Sequence, residues 1–466
     1  MSDQSDSISV RKRRTNESEI TKNVSKNFND LYLYDPCHTI QESLLSKPNS
    51  DINSHGFLNL ALILLILSNT RVALNNLITF GVLVDPFKWM QIFVENPLQR
   101  PTFILILMLN IFSIISVFIE KYVVIKKISE NKANYLIIAN IFAILVTPLI
   151  VNILFECNLL LISLVCAVYS IVILKLISYH CVNHWCRTST KYGKPITSPI
   201  KVRQEFIKAF INNNKVIKYP NNIGFIDMYY FLFVPTLCYQ INFPQTSRIR
   251  LRFILLRLIE NAVLLQVIIG LIQQWIIPGV QNSLEPFNNM EYSKILSRLL
   301  LLAIPNHIVW LIFFYWYFHS MMNLMAEILR FGDRDFYHDW WNSESVDQFW
   351  RNWNIPVHKW CKRHLYKPLL TRGFTQFQAS LAVFIVSAFF HEYIVSLPLK
   401  MFEIWSFAGM LSQIPFTIFV SLLKGRAANC AIWLQLIIGQ PLAILMYYHD
   451  YYVTEIINQN VTVSFL

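Results

Sequence analysis

The chain has 466 residues, of which 54% are hydrophobic and only 15% charged. A soluble globular protein carries roughly 25% charged residues, so that class is excluded. The apolar residues come in blocks that reach the ~20 residues a helix needs to cross ~30 Å of hydrocarbon. The formal charge of +12 does not signal nucleic acid, because the basic residues sit in loops between apolar blocks. There they read as topology signals and as contacts for anionic groups.

Residues 1–56 are rich in Ser, Asn, Asp and Lys, carry the basic run "RKRR" at Arg11–Arg14, and read as a disordered tail without a cleavable signal peptide. Residues 57–466 read as one membrane-embedded domain of an all-α polytopic membrane protein. About nine spans are expected, near 57–83, 101–124, 134–155, 157–179, 253–276, 296–326, 377–397, 404–422 and 430–449. The eight cysteines form no CxxC pair and read as reduced, structural thiols. Basic residues concentrate in the tail and in the segments 126–132, 180–252, 327–376 and 424–426, which all fall on one side of a nine-span arrangement. The positive-inside rule makes that side cytosolic. The C-terminus is then lumenal, where Asn460-Val461-Thr462 forms a sequon.

One cytosolic segment stands apart. "FYHDWWNSESVDQFWRNWNIPVHKW" (336–360) holds Trp340, Trp341, Trp350, Trp353 and Trp360 among several charges. That mixture suits an apolar–water boundary, where an indole buries its ring and keeps its N–H wet. Val346, Phe349, Trp350 and Trp353 share one helical face, which predicts a short helix in the interface. Pro356 breaks that helix and leaves Asn354 near its end.

Ionisable groups inside apolar spans are rare, because a central charge costs roughly 2.5–3.5 kcal/mol on insertion scales. "SAFFHEY" places His391 and Glu392 in the seventh span, with Ser387 one helical turn before His391. A neutral imidazole in a dry cavity can take a proton from an alcohol. The alternative is a structural histidine bonded to a neighbouring helix. Glu260, His307, His319, Gln413, Gln440 and His449, each taken alone, suit packing or hydrogen bonding. "HCVNHWC" (180–186) offers zinc-type ligands, but its spacing fits no standard site, and it reads as a loop after the fourth span. Nothing marks Cys361 as a thiolate nucleophile.

"FYHDWWN" (336–342) and "HEY" (391–393), at this separation, resemble the two signatures of the membrane-bound O-acyltransferases. The branch resembled is that of sterol and type 1 diacylglycerol O-acyltransferases. "LILSNTRVALNNLITFGVLVDP", "GLIQQWIIPGVQNS" and "LIIGQPLAILMYYHDYYV" are most similar to the diacylglycerol enzymes. His338 departs from the usual Arg of the motif, and Gln240 and Gln245 replace residues that are usually charged.

The resemblance implies the fold of that family and transfer from acyl-CoA to 1,2-diacylglycerol, giving triacylglycerol and CoA. It implies His391 as general base, with Asn354 orienting acyl-CoA or supporting the thioester oxygen. Glu392, counted with His391 and Asn354 among the catalytic residues, would complete a polar chamber with Gln413 and Gln440, with Ser387 beside it. Trp350, Arg351, Trp353, His358, Lys359 and Tyr366 are the candidate contacts to acyl-CoA from the cytosol. The motif residues are Phe336, Tyr337, Asp339, Trp340, Trp341 and Asn342. No metal and no bound cofactor are expected. The expected partners are acyl-CoA, diacylglycerol, membrane lipids and further copies of the chain, as a homodimer or homotetramer, in the endoplasmic reticulum membrane. The acceptor could instead be a sterol, retinol or a long-chain alcohol. A transporter would tend to show internal repeats and broken helices, and no repeat is seen. A scaffold that had lost catalysis would be expected to lack His391 or the Asn354 segment.

Overall fold

The long apolar blocks become long helices because hydrocarbon leaves the backbone no partner outside its own segment. A computed structural model describes residues 101–155, 157–191, 217–283, 292–401 and 403–451, with short pieces at 38, 40–41, 56–57, 59–60, 77–79 and 81–85. The helices are α1 (Pro101–Val124), α2 (Glu130–Leu154), α3 (Leu159–Lys191), α4 (Phe225–Phe233), α5 (Leu251–Leu271) and α6 (Tyr292–Phe314). They continue with α7 (Val346–Trp353), α8 (Ile355–Cys361), α9 (Gln376–Leu399), α10 (Trp405–Leu411), α11 (Gln413–Ser421) and α12 (Arg426–Tyr451). α5 runs on through a π-helical turn to Gln281, and α6 through another (Tyr315–Met321) to Ile328. A third such turn, Lys362–Tyr366, follows α8. Among the described residues the β-pairing is confined to two isolated bridges.

Seven of these helices are long and apolar enough to cross a membrane. The expected first span, 57–83, lies largely outside the described residues. The expected eighth is not one helix. It is α10 and α11, which meet at Ser412. Pro415 has no N–H to give the carbonyl four residues back, so the helix is interrupted one turn earlier. The expected loop at "HCVNHWC" is instead the last part of α3. Side chains hold it helical: His180 Nδ1 lies 2.7 Å from Glu120 Oε1, Arg187 pairs with Glu120, and Arg187 Nε donates to Glu130 at 2.9 Å.

The expected disordered tail lies mostly outside the described residues, but His38, Gln41 and Gly56 of it are docked. His38 is buried, with Nδ1 3.0 Å from Asp333 and Nε2 2.8 Å from the Cys238 carbonyl. Gln41 donates its N–H to Gly332 and accepts from Arg334 N. Polar side chains that find buried partners override a disorder-prone composition locally.

α3 is the central helix. Ile162, Cys166, Tyr169, Ile173, Leu176 and Tyr179 form a stripe at intervals of three or four residues and are all buried. α1, α2 and α9 pack around α3, while α5 and α12 pack on α6. α5 instead exposes Leu255, Leu256, Ile259 and Val263 along its outer face, as a lipid-facing helix does.

Inside α3, buried Lys175 sets the position of α4. Its ammonium donates to three carbonyls at the end of α4: Phe231 at 2.9 Å, Leu232 at 2.8 Å and Val234 at 2.7 Å. Terminal carbonyls have no intrahelical partner, and an ammonium has three donors. Lys175→Met strands these acceptors. The expected result is a thermal midpoint in detergent lowered by the equivalent of at least about 1–3 kcal/mol. An unchanged midpoint would show that the cap contributes nothing.

Candidate active site

α9 begins with a reciprocal cap, in which Thr375 Oγ1 accepts from Gln378 N at 3.2 Å and Gln378 Oε1 accepts from Thr375 N at 2.9 Å. Its other end is fastened on three sides. Tyr393 donates its hydroxyl to the Leu145 carbonyl of α2 at 2.9 Å. Asn152 donates to the Leu397 carbonyl at 2.7 Å. Glu392 accepts from Phe407 N of α10 at 2.8 Å, from Tyr447 OH of α12 at 2.8 and 2.9 Å, and from Ser396 Oγ. Glu392 and Tyr393 are therefore fasteners, and both carboxylate oxygens of Glu392 are engaged.

His391, just before these two fasteners, is differently placed. Its Nδ1 lies 2.7 Å from the Ser387 carbonyl. A carbonyl can only accept, so Nδ1 carries the proton and Nε2 presents a lone pair. Nε2 has no partner among the described residues. The residue is exposed, although it lies in a membrane-spanning helix. Ser387 thus contributes through its backbone.

The second hallmark residue, Asn354, ends α7 and caps α8. Its Oδ1 accepts from Val357 N at 3.2 Å. Its amide Nδ2 has no partner among the described residues. The "FYHD" stretch grips the chain on both sides of it, through His338 N to Asn352 O at 2.8 Å and Ile355 N to Phe336 O at 3.0 Å. The break between α7 and α8 is therefore held by the motif's backbone.

The side chains of the motif form a clasp rather than an interfacial belt. Trp340 and Trp341 are 2% and 1% exposed. Trp340 packs against Trp310, Phe314 and Trp433, and Trp341 against Phe57 at 4.5 Å. Tyr337 OH meets His319 Nδ1 at 2.8 Å in α6. Asn429 of α12 donates to the carbonyls of Trp341 and Ser343, both at 2.9 Å. Asn342 Oδ1 accepts from Gly56 N at 2.6 Å, and Asn342 Nδ2 reaches Asp339 at 3.4 Å. A Cβ on Gly56 would stand 1.7 Å from the Trp341 carbonyl oxygen, so only glycine fits there. Phe336 is buried in the same core.

The predicted apolar face of α7 exists, but it packs on the protein core, with Val346 and Phe349 buried and the Trp350 Nε1 without a partner. The expectation of wet indoles fails here because the partner surface is aromatic rings of α6, not headgroups. His338 stands 2.9 Å from Asp335, whose hydrogen bond raises its pKa, so it approaches the positive charge usual at that position.

The remaining candidates divide. The Gln413 side chain is buried at the α10–α11 break and has no partner among the described residues. Gln440 accepts from Asn306 at 3.3 Å. Arg351 is exposed and paired with Asp347 at 2.7 Å, and Lys359 is held by Asp333 at 3.1 Å and Asp335 at 3.6 Å. Lys359 is thus committed to a carboxylate pair rather than left for a ligand. His358 has no partner among the described residues. Burial, with Lys362 and Arg351 nearby, lowers its pKa, so it is neutral at pH 7. Tyr366 lies in the π-helical turn Lys362–Tyr366, against which both α8 and α9 pack. No hydrogen bond joins Asn354 to His391; this turn connects their helices.

The other ionisable groups are absorbed in packing. Glu260 pairs with Arg257 and accepts from Ser320, and His449 meets Asp450 at 3.1 Å. Burial pushes the Cys361 thiol up to about 12, the opposite of an activated nucleophile. Sequence reading missed Tyr447 and Asn429, whose partners lie far away in the chain. It also missed the stripe His307, Trp310, Phe314, Phe318, which its spacing of three or four residues could have revealed.

Comparison with known proteins agrees with this architecture. Residues 157–449 match the sequence profile of MBOAT, the membrane-bound O-acyltransferase family. The chain is 48% identical over 420 residues to "Diacylglycerol O-acyltransferase 1" of Bos taurus, covering 90% of this chain and 85% of that protein. It is 48% identical over 423 residues to the human protein of the same name, covering 90% and 84%. It is 36% identical over 430 residues to "Diacylglycerol O-acyltransferase 1C" of Glycine max, covering 89% and 79%. With the profile matched over more than half its length and its two signature segments built into one core, the chain belongs to the membrane-bound O-acyltransferase family.

Proposed function

We propose that this protein is an acyl-CoA:1,2-diacylglycerol O-acyltransferase that makes triacylglycerol and free CoA. The observation that carries the reading is the fixed tautomer of His391, with Nε2 unpartnered among the described residues on a helix fastened at the next two positions. The similarity to the diacylglycerol enzymes supplies the substrates.

A thioester is already activated, so one base and one oxyanion donor suffice without an acyl-enzyme. The acceptor hydroxyl gives its proton to His391 Nε2 as its oxygen forms a bond to the thioester carbonyl carbon. Asn354 Nδ2 donates to the carbonyl oxygen as charge develops. The C–S bond then breaks, and His391 returns the proton to the CoA thiolate. Glu392 takes no part in proton transfer; it keeps α9 in register with α10 and α12. Gln413 and Gln440 orient the acceptor, and Trp350, Trp353, His358 and Tyr366 line the cytosolic approach of acyl-CoA. No metal or bound redox group enters this reaction. Assembly as a homodimer or homotetramer belongs to the same reading and rests on family resemblance.

Purified protein with labelled oleoyl-CoA and separate diacylglycerol, sterol, retinol and long-chain alcohol acceptors tests this reading, with His391→Ala alongside. The label should enter triacylglycerol fastest. The folded variant should be slower by roughly 10²–10⁴-fold. A preference for sterol or another alcohol would move the assignment to that acceptor, and a variant with more than about half the activity would remove His391 from the chemistry.

In this reading the chain lies in the endoplasmic reticulum membrane, with the 1–56 tail and the 336–360 segment cytosolic and the C-terminus lumenal. The basic loop bias supports that orientation. Cysteine labelling of sealed microsomes should reach the first two without permeabilisation and the C-terminus only after it. Labelling of the C-terminus in sealed vesicles contradicts the nine-span count.

A further inference from the structure

The motif's backbone holds Asn354 from one side. The other side is held by its neighbour, Trp353. That indole lies 5.3 Å from Trp310 with an interplanar angle of 16°, 5.8 Å from Phe314, 5.1 Å from Phe318, and 6.2 Å from Phe349 at 9°. Trp310 is the centre of this stack. It lies 5.3 Å from His307 at 29° and 5.3 Å from the motif's Trp340 at 83°. His307 is fully buried, and neither ring nitrogen has a hydrogen-bond partner among the described residues. Its contacts are therefore those of a flat ring, stacked on Trp310 and edge-to-face with Trp433 at 5.6 Å.

Offset aromatic stacks resist sliding and tilting, because each ring has a preferred offset on the next. An indole stacked on α6 and on a ring of its own helix fixes the backbone that follows it. We infer that Trp310, capped by His307, is a positioning residue for acyl transfer: the His307–Trp310–Trp353 stack sets where the Asn354 carboxamide stands relative to the thioester. This rests on the role given above to Asn354. Trp310 touches neither substrate in this account and acts only through Trp353.

The consequence is kinetic. A misplacement of about 1 Å at a reacting centre can cost on the order of 10²-fold in rate. Trp310→Leu should lower kcat by about 10–100-fold, and any rise in the KM for acyl-CoA, carried by Trp353, should be smaller than the loss in kcat. Trp310→Phe and His307→Phe, which keep a flat ring, should stay within about three-fold of the parent. The deciding experiment is a double-mutant cycle on purified, folded protein. In an Asn354→Ala background, Trp310→Leu should change kcat by less than about two-fold, because the group it positions is gone. Should the leucine variant not fold, the cycle with Trp310→Met, which fills volume without a ring, carries the same expectation. Losses that multiply across the cycle overturn the inference while leaving the role of Asn354 intact. Normal turnover by Asn354→Ala alone overturns that role and the inference with it. A loss of more than about ten-fold in His307→Phe would mean that the imidazole does chemistry, and that also overturns the inference.

Discussion

Hydrocarbon offers no hydrogen-bond partner, so the charged groups inside this bundle are matched from within the chain. That constraint organises the whole structure. Lys175 spends its three donors on three carbonyls, and Glu392 is engaged at both oxygens. Glu120 is shared by His180 and Arg187. Each match ties two helices whose apolar surfaces alone would leave sliding freedom. Against this background, a polar atom that is both reachable and unmatched carries information. Among the described residues, Nε2 of His391 and Nδ2 of Asn354 are such atoms. They are the groups on which the proposed acyl transfer rests.

The two signature segments solve complementary problems. In the HEY segment, the last two residues fasten the helix so that the first can stay free. In the FYHDWWN segment, the chain is driven into the core as a clasp between the start of the first span, α6 and α12. Its backbone then grips both flanks of Asn354. The motif would thus bear on the reaction indirectly, because the residue proposed to support the developing charge is held by the clasp. Indoles suit such a clasp because each buries a large rigid ring at little cost in conformational freedom.

Much of this was legible in the sequence, and what was not has a physical cause. Long apolar blocks specify spanning helices by length alone, and His391 stood out because an ionisable group in such a block needs a reason. The break at Asn354 followed from Pro356, although the proline begins the next helix instead of merely ending the previous one. The indoles of the tryptophan run were expected to stay wet but are covered by protein, because amphipathicity reveals which face is apolar but not whether lipid or protein covers it. The helical end of α3 was read as a loop, since its stabilising carboxylates, Glu120 and Glu130, lie roughly 60 residues earlier and local pattern cannot reach them. Glu392 looked catalytic by adjacency. Its partners, 15 and 55 residues away, show a fastener.

The central claim is that the unpartnered nitrogen of His391 receives the acceptor's proton. The pH dependence of kcat/KM tests it most directly, because this parameter reports groups that titrate in the free enzyme. The parent protein should lose activity on the acid side as the imidazole is protonated and its lone pair is lost. In His391→Gln the residual rate should be far lower and should show no such acid limb. An acid limb that persists unchanged in the variant would assign the titrating base to another group and contradict the account.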